Sequence, residues 1–106
     1  MRYAIISDIH SNFQALEAVL ELVGRLEVEQ VICLGDIVGY GADPSPCIAR
    51  VRQECSSVIK GNHDAAAVGE TSVETFNLAA RWAADWTQER LDQSELDYLR
   101  QLPMRA

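Results

Sequence analysis

The stretch IISDIHSN, residues 5–12, decides how this chain reads. Ile5 and Ile6 are β-branched and apolar, which suits a buried strand. Within two residues the run reaches Asp8 and His10, groups that cost free energy to bury without a partner. Side chains two apart in an extended chain point alike, so Asp8 and His10 leave the strand end together and something must compensate them.

The same pattern recurs twice. Residues 2–7 read as a strand, and beyond a polar turn Phe13, Leu16, Leu20 and Val23, with Ala15, Val19 and Leu26, trace a helical stripe. Residues 30–34 make a second strand, followed by the glycine-rich GDIVGYGADP and a helix expected from near Ser45, with Pro46 in its first turn, to about Cys55. Residues 57–60 form a third short strand around Val58 and Ile59. GNHDAAAVG then leads toward a helix over roughly residues 75–91. Ser94 is the expected cap of a last helical segment, ELDYLRQL, which Pro103 stops.

Alternating strands and helices imply an α/β fold with parallel pairing, three strand-helix units in one domain. Ligands of such sheets sit beyond the carboxyl ends of the strands. That rim receives Asp8 and His10 after the first strand, Asp36 after the second, and Asn62 and His63 after the third. Carboxylate oxygens, imidazole nitrogens and an amide oxygen converging on one edge are ligands for a divalent metal of intermediate softness. A cation supplies the compensation that the opening stretch demands, and Gly35, Gly39, Gly41 and Gly61 let backbone approach the ions and substrate closely.

DIH, GDIVG and GNHD, in this order and spacing, resemble the motifs of the calcineurin-like metallophosphoesterases, in particular the small stand-alone bacterial and archaeal members. The resemblance runs through residues 1–106. It implies the N-terminal half of a four-layer α/β/β/α sandwich and hydrolysis of a phosphodiester or phosphomonoester by metal-activated water at a binuclear centre. Asp8 and His10 would bind the first metal, Asp36 would bridge both, and Asn62 would bind the second. His63 would meet the substrate phosphate alongside Asn62, as general acid or charge stabiliser, and Asp64 would orient His63. The implied cofactors are two divalent ions from manganese, iron, zinc and nickel, with manganese favoured. The implied partner is a small phosphorylated substrate, a nucleotide or other phosphoester.

Two departures from the family pattern stand out. Ser11 takes the place of the usual glycine after DIH. Family members are also about twice this length, and their later half adds metal-binding histidines, typically in a GHTH-like segment, and a second sheet. Here the histidines are His10 and His63 alone. The expectation is therefore an N-terminal portion with an incomplete metal site and an uncovered sheet through which copies could associate. The alternative is a non-catalytic module carrying a partial site.

Competing chemistries fit less well. A haloacid-dehalogenase phosphatase needs a second Asp where His10 stands, and neither a P-loop nor G-x-G-x-x-G occurs. Sixteen acidic against nine basic residues give a formal charge of -7, which argues against a general nucleic-acid or anionic-membrane footprint. No apolar run nears the roughly 18 residues of a bilayer span and no signal-peptide zones are visible, so a cytoplasmic protein is expected. Cys33, Cys47 and Cys55 form no C-x-x-C pair and read as small buried apolar residues. Trp82 and Trp86, one helical turn apart, read as core. Tyr40, beside the second motif, reads as a loop aromatic packing on the surface, with contact to substrate as the alternative, and Lys60 as a strand-edge charge, with contact to phosphate as the alternative.

Overall fold

Val31 and Cys33 alternate with Gln30 and Ile32, and the alternation decides which side of the sheet is buried: Cys33 is fully inaccessible and Val31 nearly so. A computed structural model describes residues 1–104. In it β1 (Tyr3–Ile6), β2 (Gln30–Cys33) and β3 (Ser57–Val58) pair in parallel in the order β1-β2-β3, with Ile6 beside Cys33 and Cys33 beside Val58. The expected alternation of strands and helices is thus present, with strands shorter by one or two residues at each loose end.

The helices are α1 (Phe13–Arg25), α2 (Pro44–Glu54), α3 (Asn62–Ala67), α4 (Leu78–Arg90) and α5 (Gln93–Gln101). Right-handed crossovers between neighbouring strands taken in order put α1 and α2 on one face of the sheet, where they pack on each other. Leu16 and Leu20 of α1, Ile48 and Val51 of α2, and Leu99 of α5 bury there with Cys33. The Arg52 guanidinium lies 4.7 Å over the Tyr98 ring and ties α2 to α5. The opposite face, carrying Tyr3, Ile5 and Leu34, stays open; Ile5 is 63% exposed.

Four expectations are corrected. The last helix is capped by Asp92 rather than Ser94: its carboxylate accepts the Glu95 N–H at 2.8 Å while Glu95 reaches back to the Asp92 N–H at 2.9 Å. Trp82 is not core, being 70% exposed, and Trp86 is half-buried with the Arg90 guanidinium 4.8 Å over its ring. The buried stripe of α4 is Ala80, Ala83, Ala84 and Thr87, small residues that let α3 approach closely. Lys60 is no solvated edge charge, because its ammonium is buried against Glu70 at 3.0 and 3.1 Å and the Arg100 carbonyl at 2.9 Å. Cys33 and Cys47 are buried as expected, but Cys55 is only half-buried. Burial pushes the thiols of all three up, Cys33 to about 11 and the others to about 12.

Candidate metal centre

Each strand hands its chain to a loop at the same end of the sheet, and hydrogen bonds zip the first two loops together. The Asp8 N–H donates to the Gly35 carbonyl at 3.2 Å, His10 to Asp36 at 2.9 Å and Ser11 to Ile37 at 2.8 Å. Parallel pairing therefore continues past the strands as loop-to-loop pairing. The third loop is pressed against the second: at Gly35, with φ of +98°, a Cβ would come within 2.8 Å of the Gly61 Cα and the Ile59 carbonyl oxygen. The glycines thus admit neighbouring loops, where the sequence suggested they admit ions.

Asp64 holds this arrangement together. Its carboxylate is fully buried and accepts four backbone N–H groups: Asp36 at 2.8 Å, Ile37 at 2.9 Å, Val38 at 3.2 Å and Gly61 at 3.0 Å. Burial pushes its pKa up to about 6, opposed by the N–H groups of Gly61, Val38 and Asp36, so it is ionised at neutral pH. These donors are backbone; the His63 ring is not among them. Asp64 reaches His63 only through the start of α3, whose His63 N–H donates to Asp36 Oδ1 at 3.0 Å.

On this scaffold Asp8, His10 and Asp36 each offer a ligand atom, all within 4.8 Å of one another. The His10 Nε2 lies 3.3 Å from Asp8 Oδ1. The His10 Nδ1 lies 3.1 Å from the Val38 carbonyl, which can only accept, so Nδ1 carries a proton and Nε2 is the nitrogen turned toward the two carboxylates. The Ser7 hydroxyl donates to Asp8 at 2.9 Å and holds its carboxylate below the usual range. This donor set fits a divalent cation: two carboxylates, one imidazole whose ring is held at Nδ1 by the Val38 carbonyl, and further hydrogen bonds behind them. Backbone conformation is spent on the cluster as well. Asp8, His10 and Asp36 all have φ between +50° and +57°, a region that non-glycine residues seldom enter.

Asn62 and His63 open α3 on the other side of the rim, Asn62 exposed and His63 half-buried. The His63 ring lies 4.8 Å from that of His10 and 4.8 Å from Phe76, and its Nδ1 is buried without a partner among the described residues. Burial lowers its pKa, with a further lowering from His10. Two aromatic neighbours take places the sequence did not give them. Phe76, inside the helix expected over residues 75–91, precedes α4. Tyr40, half-exposed as expected, turns its ring to His10 at 5.2 Å and His63 at 5.0 Å. The placement of Tyr40 between Gly39 and Gly41 was visible; the loop curvature that aims it was not.

The carboxylate-imidazole cluster lies beyond the strand ends of a parallel α/β sheet, where such sheets receive ligands. Residues 1–106 match the calcineurin-like phosphoesterases, and the chain belongs to that family. It is 46% identical to a metallophosphoesterase of Sphaerobacter thermophilus whose crystal structure superimposes with a TM-score of 0.82, covering 100% of this chain and 43% of that one. It is 43% identical over 102 residues to the uncharacterized protein MJ0912 of Methanocaldococcus jannaschii, covering 95% of this chain and 42% of the relative. The crystal structure of the hypothetical protein PH1004 of Pyrococcus horikoshii, 26% identical, matches with a TM-score of 0.81 over 95% of this chain and 47% of its own. The chain thus spans less than half the length of these relatives.

Proposed function

We propose that this chain carries the first metal site of a phosphoesterase that hydrolyses a small phosphodiester or phosphomonoester. The observation that supports this most directly is the convergence of Asp8, His10 and Asp36 within 4.8 Å, with His10 fixed through Val38. These three would hold one divalent cation, and Asp36 with Asn62 would reach a second. Oxygen and imidazole donors of this mix accept manganese, iron, zinc or nickel, and the family resemblance favours manganese. A bound cation supplies Lewis acidity toward water and toward a phosphoryl oxygen.

The remaining work falls to the chain. Asp64 fixes the loop bearing Asp36, and Val38 fixes the imidazole, so ligand geometry is set before any ion arrives. An unpartnered buried N–H costs more than an unpartnered lone pair, which puts the His63 proton on Nε2. His63 is then a neutral donor to a phosphoryl or leaving-group oxygen, with Asn62 beside it. The free thiols of Cys33, Cys47 and Cys55 suit a cytoplasmic setting, which belongs to this reading.

A second reading rests on the open sheet face. Tyr3, Ile5 and Leu34 are 51%, 63% and 45% exposed on it, an apolar surface suited to self-association by a non-catalytic module. One experiment separates the two. Incubate the purified chain with manganese and bis(p-nitrophenyl) phosphate or p-nitrophenyl phosphate, beside Asp36→Asn. Release of p-nitrophenol that disappears in the variant supports the enzyme. No release at any metal concentration, from a chain that sediments as a dimer or larger, supports the module.

A further inference from the structure

At Tyr40 the backbone and the side chain are in conflict. Its φ is +60°, a region bulky residues avoid, and half of it is exposed, so burial does not offset the strain. A turn alone would be met by glycine, and Gly39 and Gly41 stand on either side. What the strained position gains is a contact: the Tyr40 ring lies 5.0 Å from that of His63, tilted 41° to it. Gly39, with φ of +95°, presses on the same side chain, for a Cβ there would come 2.7 Å from His63 Nδ1 and 3.1 Å from its Cβ and Cγ. Phe76, brought in by the segment before α4, lies 4.8 Å from the imidazole at a tilt of 33°, while His10 meets it nearly edge-on at 76°.

We propose that Gly39, Tyr40 and Phe76 form a cradle that fixes the plane of the His63 imidazole, which makes Tyr40 and Phe76 positioning residues for that ring. A histidine ring turns broadly about its second side-chain torsion unless something holds it. Among the described residues no hydrogen bond does so: His63 Nδ1 has no partner, and the Asp64 carboxylate is taken up by four backbone N–H groups. Packing of the two aromatic rings is what remains. A working group needs its direction held to about 10 to 20°, which packed rings supply and a solvated imidazole lacks. The use made of that direction, a donor aimed at phosphate, rests on the phosphoesterase reading above; the cradle stands on its own geometry.

The test is carbon-13 relaxation of the histidine rings in the chain without added metal. With two histidines in the sequence, the His63 ring signals are assigned by their loss in His63→Gln. The wild-type ring should be as ordered as rigid backbone, with an order parameter of about 0.85. Tyr40→Asn keeps a residue that tolerates the left-handed backbone and removes the ring; it should lower the value below about 0.6 while the urea midpoint stays level or rises. Phe76→Leu should lower it as well, by a smaller step, since an apolar side chain remains. Tyr40→Phe should hold the wild-type order, because the ring and not its hydroxyl does the packing. The cradle is overturned by a mobile ring in the wild type, by unchanged order in Tyr40→Asn or Phe76→Leu, or by loss of order in Tyr40→Phe. A fall in the urea midpoint of Tyr40→Asn overturns it too, making Tyr40 a prop of the fold. These measurements need neither metal nor substrate, whereas the phosphoesterase reading falls if the wild type releases no p-nitrophenol, so each can fail without the other.

Discussion

The two wings of the rim are built differently. Asp8, His10 and Asp36 come from loops that follow paired strands and are themselves zipped by backbone hydrogen bonds, and their ligand atoms already converge. Asn62 and His63 come from the first turn of a six-residue helix after a two-residue strand, and offer one exposed amide and one ring. The first wing is organised before any ion binds; the second is held mainly through Asp64 and Asp36. The difference teaches that a shared strand end does not by itself give equal readiness to ligate. What matters is whether pairing continues into the loop.

The sharpest way to break the comparison is to remove the group that joins the wings. Asp64→Ala leaves the N–H groups of Asp36, Ile37, Val38 and Gly61 without their acceptor, at about 1 to 3 kcal/mol for each that stays buried. A loss of about 4 kcal/mol or more is expected in urea denaturation, with both wings disordered. Gly35→Ala acts at the seam between second and third loops. Its Cβ at positive φ would meet the Gly61 backbone and cost about 3 kcal/mol, read in the same assay.

Smaller changes sharpen the comparison. Ser11 has φ of +60° and a fully buried hydroxyl with no partner, so Ser11→Gly removes strain and an unsatisfied oxygen at the cost of backbone entropy. It should leave stability unchanged or raise it by up to about 1 kcal/mol, without touching the ligands. Asn62→Ala should change the affinity for a first manganese ion less than threefold, since the ligands proposed for that ion lie on the other wing. Calorimetric titration checks it, and a larger loss would show the wings to be coupled.

How far the sequence could be read follows from the same physics. Parallel strand-helix alternation was legible because β-branched runs and helical stripes carry their own periodicity, and the rim residues followed from strand ends. The chain's tryptophans misled because hydrophobic spacing on α4 does not say whether alanines or Trp82 face inward; the demand for close packing on α3 decided it. Lys60 misled for the opposite reason, its partners Glu70 and Arg100 being ten and forty residues away. Asp64 reads in the sequence as orienting His63; that its carboxylate takes up backbone N–H groups of two loops is not written in the motif. Only the folded loop geometry reveals that. Asp8, His10 and Asp36 are residue types that enter the left-handed region more readily than most, whereas the positive φ of Tyr40 left no mark in residue type.

If Asp8, His10 and Asp36 form a preorganised cation site, ion binding must fall when Asp36 loses its charge. Calorimetric titration of the metal-free chain with manganese, wild type beside Asp36→Asn, tests it most directly, because asparagine tolerates the left-handed backbone and can still accept the His63 N–H. The account predicts saturable binding of an ion that weakens about 100-fold in the variant, about 2.7 kcal/mol, with folding stability little changed. Equal affinity in the two proteins would contradict it.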